Sequence, residues 1–82
     1  MPLTSTHDLV QLRWRCAQWL LAVVQGDQLQ RAALRGAMDV EGFTRQEIID
    51  EITLLRQQFG HLRPVMLGRE VTRLWIKLQE RL

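Results

Sequence analysis

The sequence predicts an all-α protein, a compact bundle of about four short helices in a single domain that covers residues 1–82. Apolar residues recur every three or four positions in four segments, which is the spacing of a helix with one buried face. Capping residues, glycines and a proline separate these segments. No segment has the alternating pattern of a β-strand, and the short connections favour a largely antiparallel arrangement.

The first predicted helix begins near His7 or Asp8, after an N-cap at Ser5 or Thr6, and runs to Gln25. At about 100° per residue, its apolar side chains cover roughly 220° of the circumference, far more than one stripe. Such a helix is either the central element of its own domain or buries a second face against another chain.

A charged residue, Arg13, divides this apolar surface. An unpaired charge there is costly, so the side chain must reach water or meet a carboxylate. The candidate carboxylates are those of Asp39, Glu41, Glu47, Asp50 and Glu51.

The smaller part of the divided surface predicts a protein-binding site. Tryptophan and arginine are enriched among interface hot spots, and the residues concerned are Val10, Arg13, Trp14 and Leu21, with Leu54 and Ile76 as further anchors. We expect Trp14→Ala to weaken association more than folding, and Trp19→Ala to unfold the domain. The alternative is that both tryptophans are core residues of a central helix.

The second helix is expected over Gln28–Val40, with Asp27 as its N-cap. Its predicted packing face consists of small or apolar residues, namely Leu29, Ala32, Ala33, Gly36, Ala37 and Val40.

The third helix has the clearest start signal. Thr44 and Glu47 have the spacing of a capping box, and Phe43 can pack on Ile48. Gly60 is expected to end this helix. Its predicted buried face comprises Ile48, Ile52, Leu55 and Phe59, with Ile49 at the margin.

The last helix is expected from Pro64, with a start that Gly68 could bend or delay. Its apolar stripe comprises Leu67, Val71, Leu74, Trp75, Leu78 and Leu82. A ridge of cations lies largely opposite, formed by Arg69, Arg73, Lys77 and Arg81.

The middle of the chain has the spacing of a helix-turn-helix between Ala37 and Ile48, with a recognition helix from Thr44. Nucleic acid would then be contacted by Thr44, Arg45, Gln46, Arg69 and Arg73. Acidic residues on the third helix would repel a polyanion and weaken this hypothesis.

Composition limits the function further. Eleven cations against nine anions leave a net charge of +2, too small for a dense electrostatic field. His7, His61 and the single Cys16 show no pairing of a nucleophile with a base, and no metal or cofactor motif is present. We expect a cytoplasmic protein without a membrane segment, metal, cofactor or small-molecule substrate, with residues 1–5 as a flexible tail.

These patterns predict a non-enzymatic protein-interaction module, such as an accessory regulator, adaptor, chaperone or inhibitor. Its partner would be another protein or a second copy in a homodimer. The alternative is a helix-turn-helix transcriptional regulator that binds DNA.

Overall fold

The computed structural model describes residues 6–81, and the side chains of residues 9–80. It contains helices α1 (Thr6–Gln25), α2 (Gln28–Val40), α3 (Arg45–Phe59) and α4 (Pro64–Arg81), with no strand in the described range. The predicted all-α fold is therefore confirmed. The expected tail at residues 1–5, the capping role of Ser5 and the stripe position Leu82 lie outside the described residues.

The ends of the middle helices follow the local signals. Asp27 caps α2 and accepts a hydrogen bond from the backbone N–H of Gln30 at 3.0 Å. The Thr44 backbone donates to the Glu47 carboxylate at 2.8 Å, and the Glu47 backbone donates to the Thr44 hydroxyl at 3.1 Å. The bonds from Thr44 lower the pKa of Glu47 because they stabilise its charged form. The predicted capping box is confirmed.

Helix α4 begins at Pro64 as predicted, because proline suits the first helical position. It continues through Gly68 without the delayed start that this glycine could cause. The Thr72 hydroxyl donates to the Gly68 carbonyl at 3.0 Å, within an unbroken helix.

Helix α1 is the central element, since it packs against α2, α3 and α4. It brings Leu12, Cys16, Ala17 and Leu20 into the main buried cluster. The rest of the chain completes this cluster with Met38, Phe43, Ile48, Leu55 and Leu67. The wide apolar surface of α1 is thus used largely within its own chain, which was one of the two arrangements that the sequence allowed.

Helix α4 runs antiparallel to α1 and covers the part of α1 that the sequence assigned to a partner. The rings of Trp14 and Trp75 pack with centroids 4.9 Å apart. Two turns further along α1, Leu21 lines a pocket together with Val71, which lies one turn before Trp75 on α4. Val10 is only 6% exposed. This side of α1 therefore forms an intramolecular contact, because the apolar stripe of α4 packs against it.

Helix α2 packs through a different face from the one predicted. Leu34 and Met38 are buried, whereas Leu29 is 86% exposed and Val40 is 88% exposed. The predicted face was wrong because its alanines and Gly36 offer little apolar area, and the larger Leu34 and Met38 side chains bury more when they meet α1. The sulfur atoms of Met38 and Cys16 lie 3.9 Å apart at this contact.

Candidate functional site

An open groove lies between α2 and α3, where the two helices pack against α1 but make few contacts with each other. Its volume is about 350 Å³. We call it the α2–α3 groove; it is lined by Trp19, Arg35, Arg45, Ile48, Ile49, Ile52, Thr53 and Arg56. The groove is a concave apolar surface with cations at its rim, which is the general form of a binding site.

Helix α3 forms one wall through a single stripe of side chains. Arg45, Ile49, Ile52 and Arg56 recur at intervals of three or four residues and therefore share a helix face. Ile49 is 44% exposed, while Ile52 is half-buried against the core. The hydroxyl of Thr53 donates to the Ile49 carbonyl at 2.8 Å, so it is already used within the helix. This wall has an apolar centre and an arginine at each end.

Trp19 of α1 closes the groove between the two helices. It is partly buried against the core, and it also lines a shallower pocket along α2 with Gln28, Arg31, Ala32 and Arg35. The guanidinium carbon of Arg31 lies 5.4 Å from the Trp19 ring centroid, within range of a cation–π interaction. The indole thus lies between cations of α2 and the isoleucines of α3.

Among the described side chains, Arg35 is the groove arginine that has a carboxylate at ion-pair distance. Its Nη1 atom lies 3.9 Å from Oδ1 of Asp39, which exceeds hydrogen-bond length. Nη1 is itself buried and has no hydrogen-bond partner within the described part of the chain. A buried donor without a partner is rare, because its desolvation is not compensated.

Of the acidic side chains near the groove in sequence, Asp39 faces Arg35 and Asp50 accepts from Gln46, while two others pair with arginines of α1. Glu51 accepts from Arg13 Nε at 2.9 Å, and Glu41 accepts from Arg15 Nε at 3.0 Å. No carboxylate is among the described residues that line the groove. The groove therefore carries an excess of positive charge.

The residues of α1 predicted to bind a protein partner stay on one side of the helix but differ in exposure. Val10 is buried, and Leu21 is partly buried against the core. Trp14 packs against Trp75, and the guanidinium carbon of Arg15 lies 4.7 Å from the Trp14 ring centroid. The assignment of Val10 to a partner surface is corrected, because a side chain that is 6% exposed offers almost no area to another molecule.

Arg13 has the partner that its position required, since Glu51 was one of the five candidate carboxylates. The two further anchors, Leu54 and Ile76, are about half exposed, at 50% and 51%.

The residues predicted to contact nucleic acid are separated. The Thr44 hydroxyl caps α3, and the Gln46 amide donates to Asp50 at 2.7 Å. Only Arg45 of this set lines the groove. The remaining two, Arg69 and Arg73, belong to α4, which packs on a different face of α1.

Sequence reasoning missed Trp19, Arg35 and Arg56 as members of one site. The stripe from Arg45 to Arg56 is visible in the sequence as a helical repeat. The distance between α2 and α3 has no local sequence signal, because both helices are held by their contacts with α1.

The single thiol does not have the properties of a nucleophile. Cys16 is fully buried, and burial together with the negative charge of Glu51 raises its pKa to about 12. The described residues include no cluster of three or more His, Cys, Asp or Glu side chains that could hold a metal ion.

Over the described helices, no segment is both long and apolar enough to cross a bilayer. No family model, curated protein or solved structure matches this chain.

Proposed function

We propose that this chain is a small, non-enzymatic protein-interaction module whose α2–α3 groove binds a partner protein. The observation that supports it is the uncovered apolar stripe of α3 beside Trp19, in a groove whose rim carries arginines. Tryptophan and arginine at a desolvated apolar centre are typical of interface hot spots. The module would act by occupying a surface, as a regulator, adaptor, chaperone or inhibitor does.

A partner other than a second copy is favoured by charge. Helix α4 exposes the apolar residues Val65, Met66, Trp75 and Ile76, and it also carries Arg69, Arg73 and Lys77. Placing this surface in the groove of another copy would bring cations against cations, which opposes association. A different protein with acidic side chains meets no such repulsion.

DNA binding is the second candidate, and one observation favours it. Of the three acidic residues of α3 that opposed this hypothesis, Glu51 is buried and paired with Arg13, whereas Glu47 and Asp50 bond only to uncharged groups in the described part of the chain. Arg45 and Arg56 would then contact phosphates. The separation of Arg69 and Arg73 from these residues makes this candidate the weaker one.

Site-specific photocrosslinking tests the proposed function. A photoreactive amino acid replaces Ile49 in the groove or, as a matched control, Gln58, which is exposed on another face of α3. In cells that express the chain, we expect one defined protein adduct from position 49 and none from position 58. Nuclease treatment separates a nucleic-acid adduct from a protein adduct. Equal labelling from both positions, or an adduct only with nucleic acid, would contradict the proposal.

A further inference from the structure

We propose that the occupant of the α2–α3 groove is an acidic amphipathic helix of the partner protein, about three turns long. Its apolar side chains would meet Trp19 and the isoleucines of α3, and its carboxylates would meet Arg35, Arg45 and Arg56. This inference rests on the proposed function and adds the chemical nature and shape of the partner segment.

The charge of the groove favours an anionic occupant. Three arginines line it, while no described lining residue is acidic. Arginine presents a planar set of donors that matches a carboxylate and can form two parallel hydrogen bonds. Within the described residues, Arg45 and Arg56 have no ion-pair partner, so burying them under a neutral partner would leave their charges uncompensated, which is strongly unfavourable.

Arg35 is not fully satisfied by the contacts within its own helix. Its Nη1 is buried without a hydrogen-bond partner, and the nearest carboxylate stays 3.9 Å away on the same helix. The Arg35 side chain as a whole is 41% exposed, so a partner carboxylate in the groove would bind its more accessible donors. The contact would be a charge-assisted hydrogen bond, the strongest class of side-chain hydrogen bond in proteins.

The walls of the groove favour a helix over an extended peptide. Both walls are helices, whose backbone groups are bonded internally, and no strand edge exists within residues 6–81. An extended peptide would therefore bury backbone N–H and C=O groups without partners. A helix satisfies its own backbone and presents apolar residues along one face, as in other helix-in-groove complexes.

The length of the occupant follows from the α3 stripe. Arg45 and Arg56 are eleven positions apart in the sequence. At a rise of 1.5 Å per residue, the two positions are separated by about 16 Å along the helix axis. A partner helix of about three turns spans this distance and places acidic side chains near both arginines.

Synthetic peptides provide the test. The first is a helical peptide of about 14 residues with leucines along one face and glutamates on both borders of that face. The second has glutamine in place of every glutamate. Each is added to ¹⁵N-labelled protein, whose three tryptophans give separate indole N–H signals. Trp14 and Trp75 pack together outside the groove and are internal controls for Trp19.

We expect the acidic peptide to shift the Trp19 signal while those of Trp14 and Trp75 stay in place. Arg45→Gln and Arg56→Gln should each weaken this binding about tenfold, whereas Arg69→Gln on α4 is the matched control and should leave it unchanged. Added salt should weaken binding, because screening reduces attraction between exposed charges. Circular dichroism and thermal unfolding establish that each variant remains folded.

Several outcomes would overturn the inference. Equal binding of the glutamine peptide would refute the acidic partner, as would the absence of a Trp19 shift at about 1 mM acidic peptide. A Trp19 shift with duplex DNA but with neither peptide would assign the groove to nucleic acid. The proposed function is judged separately, since a protein adduct from position 49 can survive failure of the acidic-helix inference.

Discussion

Arg13 Nε lies 2.9 Å from Oε1 of Glu51, and this ion pair joins the central helix α1 to α3 beside an otherwise apolar contact. The carboxylate side chain is only 7% exposed, whereas the Arg13 side chain is 46% exposed. The arginine therefore reaches water along one edge and neutralises a buried charge along the other. Contact with water and neutralisation of Glu51 together explain why a cation interrupts the apolar surface of α1.

Removal of Arg13 should destabilise the fold, because Glu51 would keep a buried charge without a partner. We expect Arg13→Ala to lower the free energy of unfolding by about 2 kcal/mol, less than for a fully buried pair because Arg13 is half exposed. Arg73→Ala removes the solvent-exposed pair with Glu70 and should change it by about 0 to 1 kcal/mol. Urea denaturation measures both. Equal effects of the two substitutions would show that the Arg13–Glu51 pair has no special role.

The contact between Trp14 and Trp75 should stabilise the packing of α4 on α1. Each substitution by alanine is expected to lower the free energy of unfolding by about 2 kcal/mol, since both rings are only partly buried. A double-mutant cycle should give a coupling of about 1 kcal/mol for the aromatic pair. Additive effects in thermal unfolding would contradict the direct interaction.

Substitution by alanine should change the free energy of unfolding in opposite directions at two glycines. A Cβ at Gly60 would collide with the backbone carbonyl oxygen of Arg56, whereas a Cβ at Gly68 has open space within α4. Gly60→Ala should therefore lower the free energy of unfolding by about 1 to 2 kcal/mol. Gly68→Ala should raise it by about 0.5 to 1 kcal/mol, through the better helix propensity of alanine. Differential scanning calorimetry of the two variants tests the signs, and destabilisation by both would refute the second prediction.

The buried thiol predicts a loss of stability at alkaline pH. The pKa of Cys16 is about 12 in the folded chain, against an ordinary value of 9.0, because burial disfavours the thiolate. Its contribution to stability is complete below the ordinary pKa and is lost as pH rises from about 9 towards 12. Denaturation from pH 7 to 11 should show this loss, and it should be smaller in Cys16→Ala. Iodoacetamide should modify the folded protein far more slowly than the unfolded chain.

Helix ends were largely predictable from the sequence because their stabilising contacts are local. The Thr44–Glu47 capping box, the Asp27 cap and the Pro64 start each join residues at most four positions apart. Interactions of this range depend little on the rest of the fold. The requirement of Arg13 for water or a carboxylate was equally local, although five carboxylates remained possible until the helices were packed.

By itself, the sequence determined that the chain forms about four helices and that α1 has an unusually wide apolar surface. Only the tertiary structure decided that α4 covers the side of α1 bearing Trp14, that α2 packs through Leu34 and Met38, and that a groove stays open beside Trp19. The physical reason is that periodicity specifies which side chains share a face. Several helices can pack against the central helix, and the arrangement that buries the most apolar area decides which of them covers that face. That arrangement depends on contacts between residues far apart in the chain.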